Sequence, residues 1–276
     1  MTRALTPTLL LLAAACAGPG LPRTPRGEEV LRVLGAVKGG PFRLGPADLA
    51  SLRQETVRGV EPGQGRPVRY EGLDLSVLEE RVELTEEADT VVLRTADHRS
   101  VAVPLSLIRE LRPVLASRAD GVSLNGSVMA WPNVEHHGLT TDPRAALFWA
   151  MEVVSVEFVA WDKVYGRALY LPEGAPPSAV AGAASFGWLC LPCHQLRGTG
   201  GTLGPPLVRA GRAPTPEALR AVLADHPGWT SPGAGDLGVE ELGAFLTTMA
   251  RVIAEEEEAG PDPAAGAPRP VLAVPR

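Results

Sequence analysis

Residues 190–194 read Cys190-Leu191-Pro192-Cys193-His194: two thiols three apart, with an imidazole directly behind the second. Three chemistries use these residue types at this spacing. A C-x-x-C pair serves as a redox dithiol, as half of a four-ligand zinc site, or, with the following histidine, as an attachment point for haem, where the thiols become thioethers and the imidazole ligates iron. Zinc needs two further ligands, yet the only other cysteine is Cys16 and the remaining histidines are scattered. A dithiol of the thioredoxin kind needs a strand and a βαβ context before the pair, whereas the preceding AGAASFGWL is rich in small residues. Haem attachment is the reading that uses all three residues.

The third cysteine has a separate setting. The chain opens MTRALTPTLLLLAAACAG, with Arg3, an apolar run from Leu9 to Ala15 and small residues closing on Cys16. This is the order of a secretory signal, and the apolar run is too short to span a bilayer as a helix. The stretch resembles a bacterial lipoprotein signal, which implies that residues 1–16 are the signal, that Cys16 is the lipidated first residue, and that 17–28 are a flexible tether. A plain signal cut nearby, leaving Cys16 a free thiol, is the alternative. The lipoprotein reading makes the protein exported, periplasmic and membrane-anchored. Lipid on Cys16 and haem on Cys190 and Cys193 leaves no thiol over in an exported chain.

Composition narrows the partners. Of 276 residues, 45% are hydrophobic and 21% charged, ordinary proportions for folded material. Lys and Arg (26) are outnumbered by Asp and Glu (32), the net charge is −6 and no basic run appears, so nothing supports nucleic-acid binding. Redox proteins and the membrane, through the lipid anchor, are the expected partners. The 30 glycines and 27 prolines call for many turns and linkers.

Two elements must hold the motif. Thr215-Pro216-Glu217 supplies an N-cap and a first-turn proline for a helix carrying Leu219, Val222 and Leu223, and Leu242, Phe245, Leu246 and Met249 recur at helical spacing in a closing helix. Over residues 183–258 this order, with the thiol motif ahead of Gly204-Pro205-Pro206-Leu207, resembles the small class I cytochromes c. The resemblance implies an all-α C-terminal domain, one covalent haem c on Cys190 and Cys193, and His194 as proximal iron ligand. It also implies a backbone carbonyl from the turn at Pro205 that orients the imidazole. Where the family places its methionine ligand this chain reads Ser231-Pro232, so the distal ligand is open between His226 and Met249, with a five-coordinate iron or a ligand from the other domain as further alternatives.

Residues 29–170 show short alternating strands separated by turns and short helices, an α+β domain with mainly antiparallel pairing. The segments GAVKGGPFRLGPADLASL, VRYEGLDLSVL, VVLRTADHRSVAVPLSLI and DGVSLNG resemble the fold of sulfite-oxidase-type molybdopterin domains. Active members hold molybdenum through a cysteine thiolate, and this domain has no cysteine, so the resemblance implies the fold without the metal. A loop at Ala130–Gly138 displays Trp131, His136 and His137 as a turn or a contact site, and Asp97-His98 belongs to an exposed hairpin turn. Residues 171–182, with Pro172, Pro176 and Pro177, suit a linker, and 259–276 a disordered tail.

The chain therefore reads as two domains, N-terminal α+β and sulfite-oxidase-like, C-terminal all-α cytochrome c. The expected function is electron transfer by an exported, lipid-anchored monohaem cytochrome with an N-terminal docking domain. The alternatives are a haem-based ligand-binding or sensor protein with an open distal site, and a molybdenum and haem oxidoreductase with an atypical metal ligand.

Overall fold

A computed structural model of the chain describes residues 20–85, 87–136, 138–139, 148–209, 211–226 and 238–259. Alternation decides the early strands. In β1 (Leu31–Gly35) Leu31 and Val33 turn inward while Arg32 faces out, and Val30, just before the strand, is exposed. β2 (Phe42–Leu44) follows, then the short α1 (Pro46–Ala50), β3 (Gln54–Gly59), β4 (Val68–Asp74), α2 (Ser76–Arg81), the hairpin β5 (Thr90–Thr95) and β6 (Ser100–Pro104), α3 (Leu105–Leu111), β7 (Val114–Ala119), β8 (Val122–Ala130) and β9 (Val153–Val159). Their spatial order gives a five-stranded sheet, β2-β1-β9-β5-β6, and a four-stranded sheet, β3-β4-β7-β8. Only the β1–β9 pair among them runs parallel. The mainly antiparallel α+β reading of this part holds.

The five-stranded sheet is covered on both faces. In β5, Val91 and Leu93 join the first apolar core with Leu31, Val33, Tyr70 and Phe158, whereas Val92, pointing the other way, joins a second core. Val159 and Tyr165 contribute to that second core with Phe186, Leu219, Phe245, Leu246 and Met249. Tyr165 lies in a one-turn π-helix, Asp162–Gly166, that runs into α4 (Arg167–Leu169).

The remaining elements are α5 (Pro177–Leu189), a two-residue-strand hairpin β10 (Gln195–Leu196) and β11 (Thr199–Gly200), α6 (Pro216–Ala224) and α7 (Val239–Ala259). This overturns the expected all-α C-terminal cytochrome domain. The stretch between α5 and α6 forms a β-hairpin and turns, closed by Arg197 and Gly198 at φ 52° and 78°, and residues 239–259 are a single helix. The apolar faces of the helices also do not close on each other alone, because Val92 and Val159 of the sheet complete their core. The chain is mixed α and β across its described length. Residues 171–182, read as a connection, are loop only to Pro176, where the proline at the first helical position starts α5.

α5 and α7 make the closest helix pair. A Cβ on Gly182 would lie 2.0 Å from the backbone oxygen of Glu241, so these helices touch main chain to main chain. One turn on, Phe186 and Phe245 meet at 5.2 Å between ring centroids. The expected stripe of Leu242, Phe245, Leu246 and Met249 is fully buried. The cap at Thr215 also forms as expected, its hydroxyl accepting from the Ala218 N–H at 3.2 Å. Val222, on the same helix, faces solvent.

Candidate functional site

The thiol motif begins where α5 ends. The Cys190 N–H still donates to the Phe186 carbonyl at 3.0 Å, and the chain then turns back on itself, with Cys193 and His194 both donating from their backbone N–H groups to the Cys190 carbonyl at 3.1 and 2.7 Å. This turn gathers both thiols and the imidazole at the C-terminal end of one helix. Gly201 and Gly204 bring the following loop back over it, donating to the Leu191 and Cys193 carbonyls at 2.9 and 2.8 Å. Neither glycine has space for a side chain. A Cβ on Gly201 would lie 1.9 Å from the Pro192 oxygen, and one on Gly204 would lie 2.2–2.8 Å from the His194 ring.

That loop presents the Pro205 carbonyl to the imidazole. His194 is buried, and its Nδ1 stands 2.7 Å from the Pro205 oxygen. A carbonyl only accepts, so Nδ1 carries the proton and Nε2 keeps the lone pair a metal would take. His226, in the turn after α6, faces it with ring centroids 5.8 Å apart and planes inclined by 39°. Burial, and then the neighbouring His194, hold His226 below the usual histidine range. Met249, the other distal candidate, is fully buried among the apolar residues of α7 and α5.

The thiols are not those of a reactive dithiol. Both are free; burial pushes Cys190 up to about 12, with Cys193 adding to the shift, and burial raises Cys193 as well, against a downward pull from Arg99. A nucleophilic C-x-x-C pair relies on the positive end of a helix to favour the thiolate, whereas this pair sits at the negative end. Zinc fares no better: among the described residues no group of three or more His, Cys, Asp and Glu side chains could hold a metal ion.

The donor set fits one haem. Two neutral thiols bracket a dipeptide, one imidazole has its far nitrogen spent on a carbonyl, and glycine stands where any side chain would strike that ring.

Several expectations resolve elsewhere. Trp131 is not displayed by its loop: it is buried, donating from Nε1 to the Phe148 carbonyl at 3.0 Å, and Asn133 spans Val60 with its side-chain amide. His136 and His98 are exposed. Cys16, His137, Ser231 and the expected tail fall outside the described residues, and no described helix is long and apolar enough to cross a membrane.

Sequence reasoning missed how the motif is tied to the sheet. The Ser100 N–H donates to the Pro192 oxygen at 2.8 Å and the Thr202 N–H to the His98 oxygen at 2.9 Å, so the β5–β6 turn is stitched to the motif from both sides. Aromatic rings add to the joint. Trp188 stacks on Trp161 at 5.9 Å and meets Phe148 edge-on at 5.8 Å. In a chain with only 5% aromatic residues, the concentration of Phe148, Trp149, Trp161 and Tyr165 just ahead of Phe186 and Trp188 was the available signal.

No family model matches the chain, and no curated protein matches it. Among solved structures it is similar to the sulfane dehydrogenase SoxCD from Paracoccus pantotrophus, with a TM-score of 0.36 and 16% identity, over 47% of this chain and 38% of that one. The chain thus spans less than half the length of that relative.

Proposed function

We propose that this protein is an exported, lipid-anchored c-type cytochrome that carries one covalent haem c and passes electrons between redox protein partners, with residues 29–170 as its docking module. The observation that carries the reading is the 2.7 Å contact of His194 Nδ1 with the Pro205 carbonyl, directly behind two free thiols on one helix end. Haem, when bound, supplies a one-electron iron couple. The chain's own residues do the rest: Cys190 and Cys193 anchor the porphyrin edge, the Pro205 carbonyl fixes the tautomer and direction of His194, and Nε2 of His194 ligates.

In this proposal His226, in preference to Met249, would be the second residue to hold the iron. Its ring stands 5.8 Å from that of His194, whereas Met249 is fully buried in the apolar core. Replacing a thioether by an imidazole lowers the reduction potential, so the haem belongs to the low-potential part of a redox chain.

The test is haem staining of the protein after denaturing electrophoresis, from cells with a competent haem-attachment system. A stained band that Cys190→Ala or Cys193→Ala removes supports the reading; a colourless wild-type protein sinks it. Anchoring is tested separately. Cys16→Ser should move the protein from the membrane to the soluble periplasmic fraction, since an acyl anchor contributes ~0.8 kcal/mol per buried methylene.

A further inference from the structure

Residues 17–28 are expected to be a flexible tether, yet from Leu21 onward they belong to the fold. Leu21 is 7% exposed and joins the first apolar core. The Pro22 carbonyl accepts from the Arg43 N–H at 3.1 Å, and Arg26 holds the buried Asp48 twice, with its backbone N–H at 2.7 Å and with its guanidinium. Releasing this strap would expose Leu21 and leave the Asp48 carboxylate without its cation, a strongly unfavourable change for a buried charge. The strap therefore stays docked. Five peptide steps separate Cys16 from Leu21, and at no more than about 3.6 Å per residue they span at most about 18 Å.

The strap and the thiol motif lie at opposite edges of the five-stranded sheet. β2, whose Arg43 bonds to Pro22, is one edge strand, and β6, whose Ser100 N–H donates to the Pro192 oxygen at 2.8 Å, is the other. The strand order β2-β1-β9-β5-β6 leaves four gaps between them, which at about 4.8 Å each put the two edges about 19 Å apart. The Thr202 N–H, bonded to the His98 oxygen of the β5–β6 turn, fixes the motif's loop to the same far edge. Neither end of this arrangement is free to swing relative to the sheet.

We infer, building on the lipid-anchored reading, that residues 22–26 with β2 and α1 form the surface that this protein rests on the bilayer, and that the sheet is a spacer holding the thiol motif away from it. The occupant of this surface is the headgroup layer of the membrane that carries the anchor. The exposed side chains of the strap, Arg23, Thr24 and Arg26, are polar, so the contact is with headgroups rather than acyl chains. A redox partner then reaches the motif from the aqueous side, as a water-soluble protein does, and not from within the lipid.

The experiment measures how fast a bulky polyethylene-glycol maleimide labels one introduced cysteine in the full chain, on membranes and in the Cys16→Ser form, with the labelling of the parent subtracted. Arg23→Cys reports from the strap, and Leu203→Cys, at a residue 54% exposed, from the loop over the motif. Arg23→Cys should label severalfold more slowly on membranes than in the soluble form, and Leu203→Cys equally fast in both. A Gly-Ser insert of about twenty residues after Ala17, with a flexible reach of about 25 Å, should restore the rate at position 23 while the protein stays on the membrane. Equal rates at position 23 in the two forms, equal slowing at both positions, or an insert without effect overturns the orientation and leaves the anchor standing. A parent that fractionates like Cys16→Ser removes the anchor itself, and the orientation with it.

Discussion

The His194 ring donates from Nδ1 to the main-chain oxygen of Pro205, eleven residues on, across 2.7 Å. No side-chain substitution deletes a backbone acceptor, so the bond is best probed through the residue that lets the loop approach. Gly204→Ala would set a methyl group within 2.2–2.8 Å of three atoms of the imidazole. Either the loop or the ring must move, at a cost of about 1–3 kcal/mol. The expected outcome is a thermal midpoint lower by several degrees together with a change in the spectrum of the haem-loaded protein. An unchanged midpoint and spectrum would show that the contact does not constrain the ring.

Gly182 carries the matching prediction for the helix pair. Ala at this position would place its Cβ 2.0 Å from the Glu241 oxygen and 2.8 Å from Cβ of Phe245, so α5 and α7 would have to part. Gly182→Ala should destabilise by about 2–3 kcal/mol, even though alanine is the better helix former. Ala181→Ser, one residue earlier on the exposed side of α5, should stay within about 0.5 kcal/mol. Denaturant unfolding of the two variants against the parent decides it, and equal midpoints would refute the backbone contact.

What was legible in the sequence followed from local chemistry. Short strands over residues 29–170 and a hairpin turn at Asp97-His98 were expected, and β5 and β6 form that hairpin; the Thr215-Pro216 pair started α6, and the spacing of Leu242, Phe245, Leu246 and Met249 marked the buried face of α7. Cys190, Cys193 and His194 were legible as one constellation, because neighbours in sequence stay neighbours across a tight turn, whereas Pro205, eleven residues beyond His194, came only from the resemblance to the class I cytochromes c. The all-α domain was misread because Val92 and Val159, alternating residues of a sheet, showed no sign of which second surface their outward faces would meet. Trp131 was misread for the same reason: a Pro-bounded loop suggests exposure, and only the fold brings the Phe148 carbonyl to its indole.

Asp48 contributes to stability against acid. Its buried carboxylate accepts from the backbone N–H of Arg26 at 2.7 Å, from the Arg26 guanidinium, and from the Gly45 N–H at 2.9 Å, and these bonds lower it from the usual 3.8 to about 2. In this window the unfolded chain binds the proton more readily than the folded one, so stability rises with pH. Asp48 therefore contributes fully above the unfolded value, and the contribution fades as pH falls from about 4 towards 2. Asp48→Asn should lower the midpoint at neutral pH and flatten its dependence on pH between 2 and 4. A variant whose midpoint falls as steeply with acid as the parent's would show that the linkage resides in other carboxylates.

The distal position separates electron transfer from ligand capture. If His226 and His194 both ligate iron, the haem-loaded protein should be low-spin in both oxidation states and should lack a methionine-to-iron charge-transfer band. His226→Ala then opens a coordination position, giving a high-spin iron that takes up carbon monoxide or imidazole. Met249→Ala has a different signature: a fully buried side chain is truncated, costing ~2–5 kcal/mol of stability, while the spectrum of the folded fraction stays as it was. If Met249→Ala instead abolishes a charge-transfer band and His226→Ala leaves the spectrum alone, the ligand is Met249. If the unmodified protein is already high-spin and binds carbon monoxide at once, neither residue ligates and the open-site sensor replaces the electron carrier.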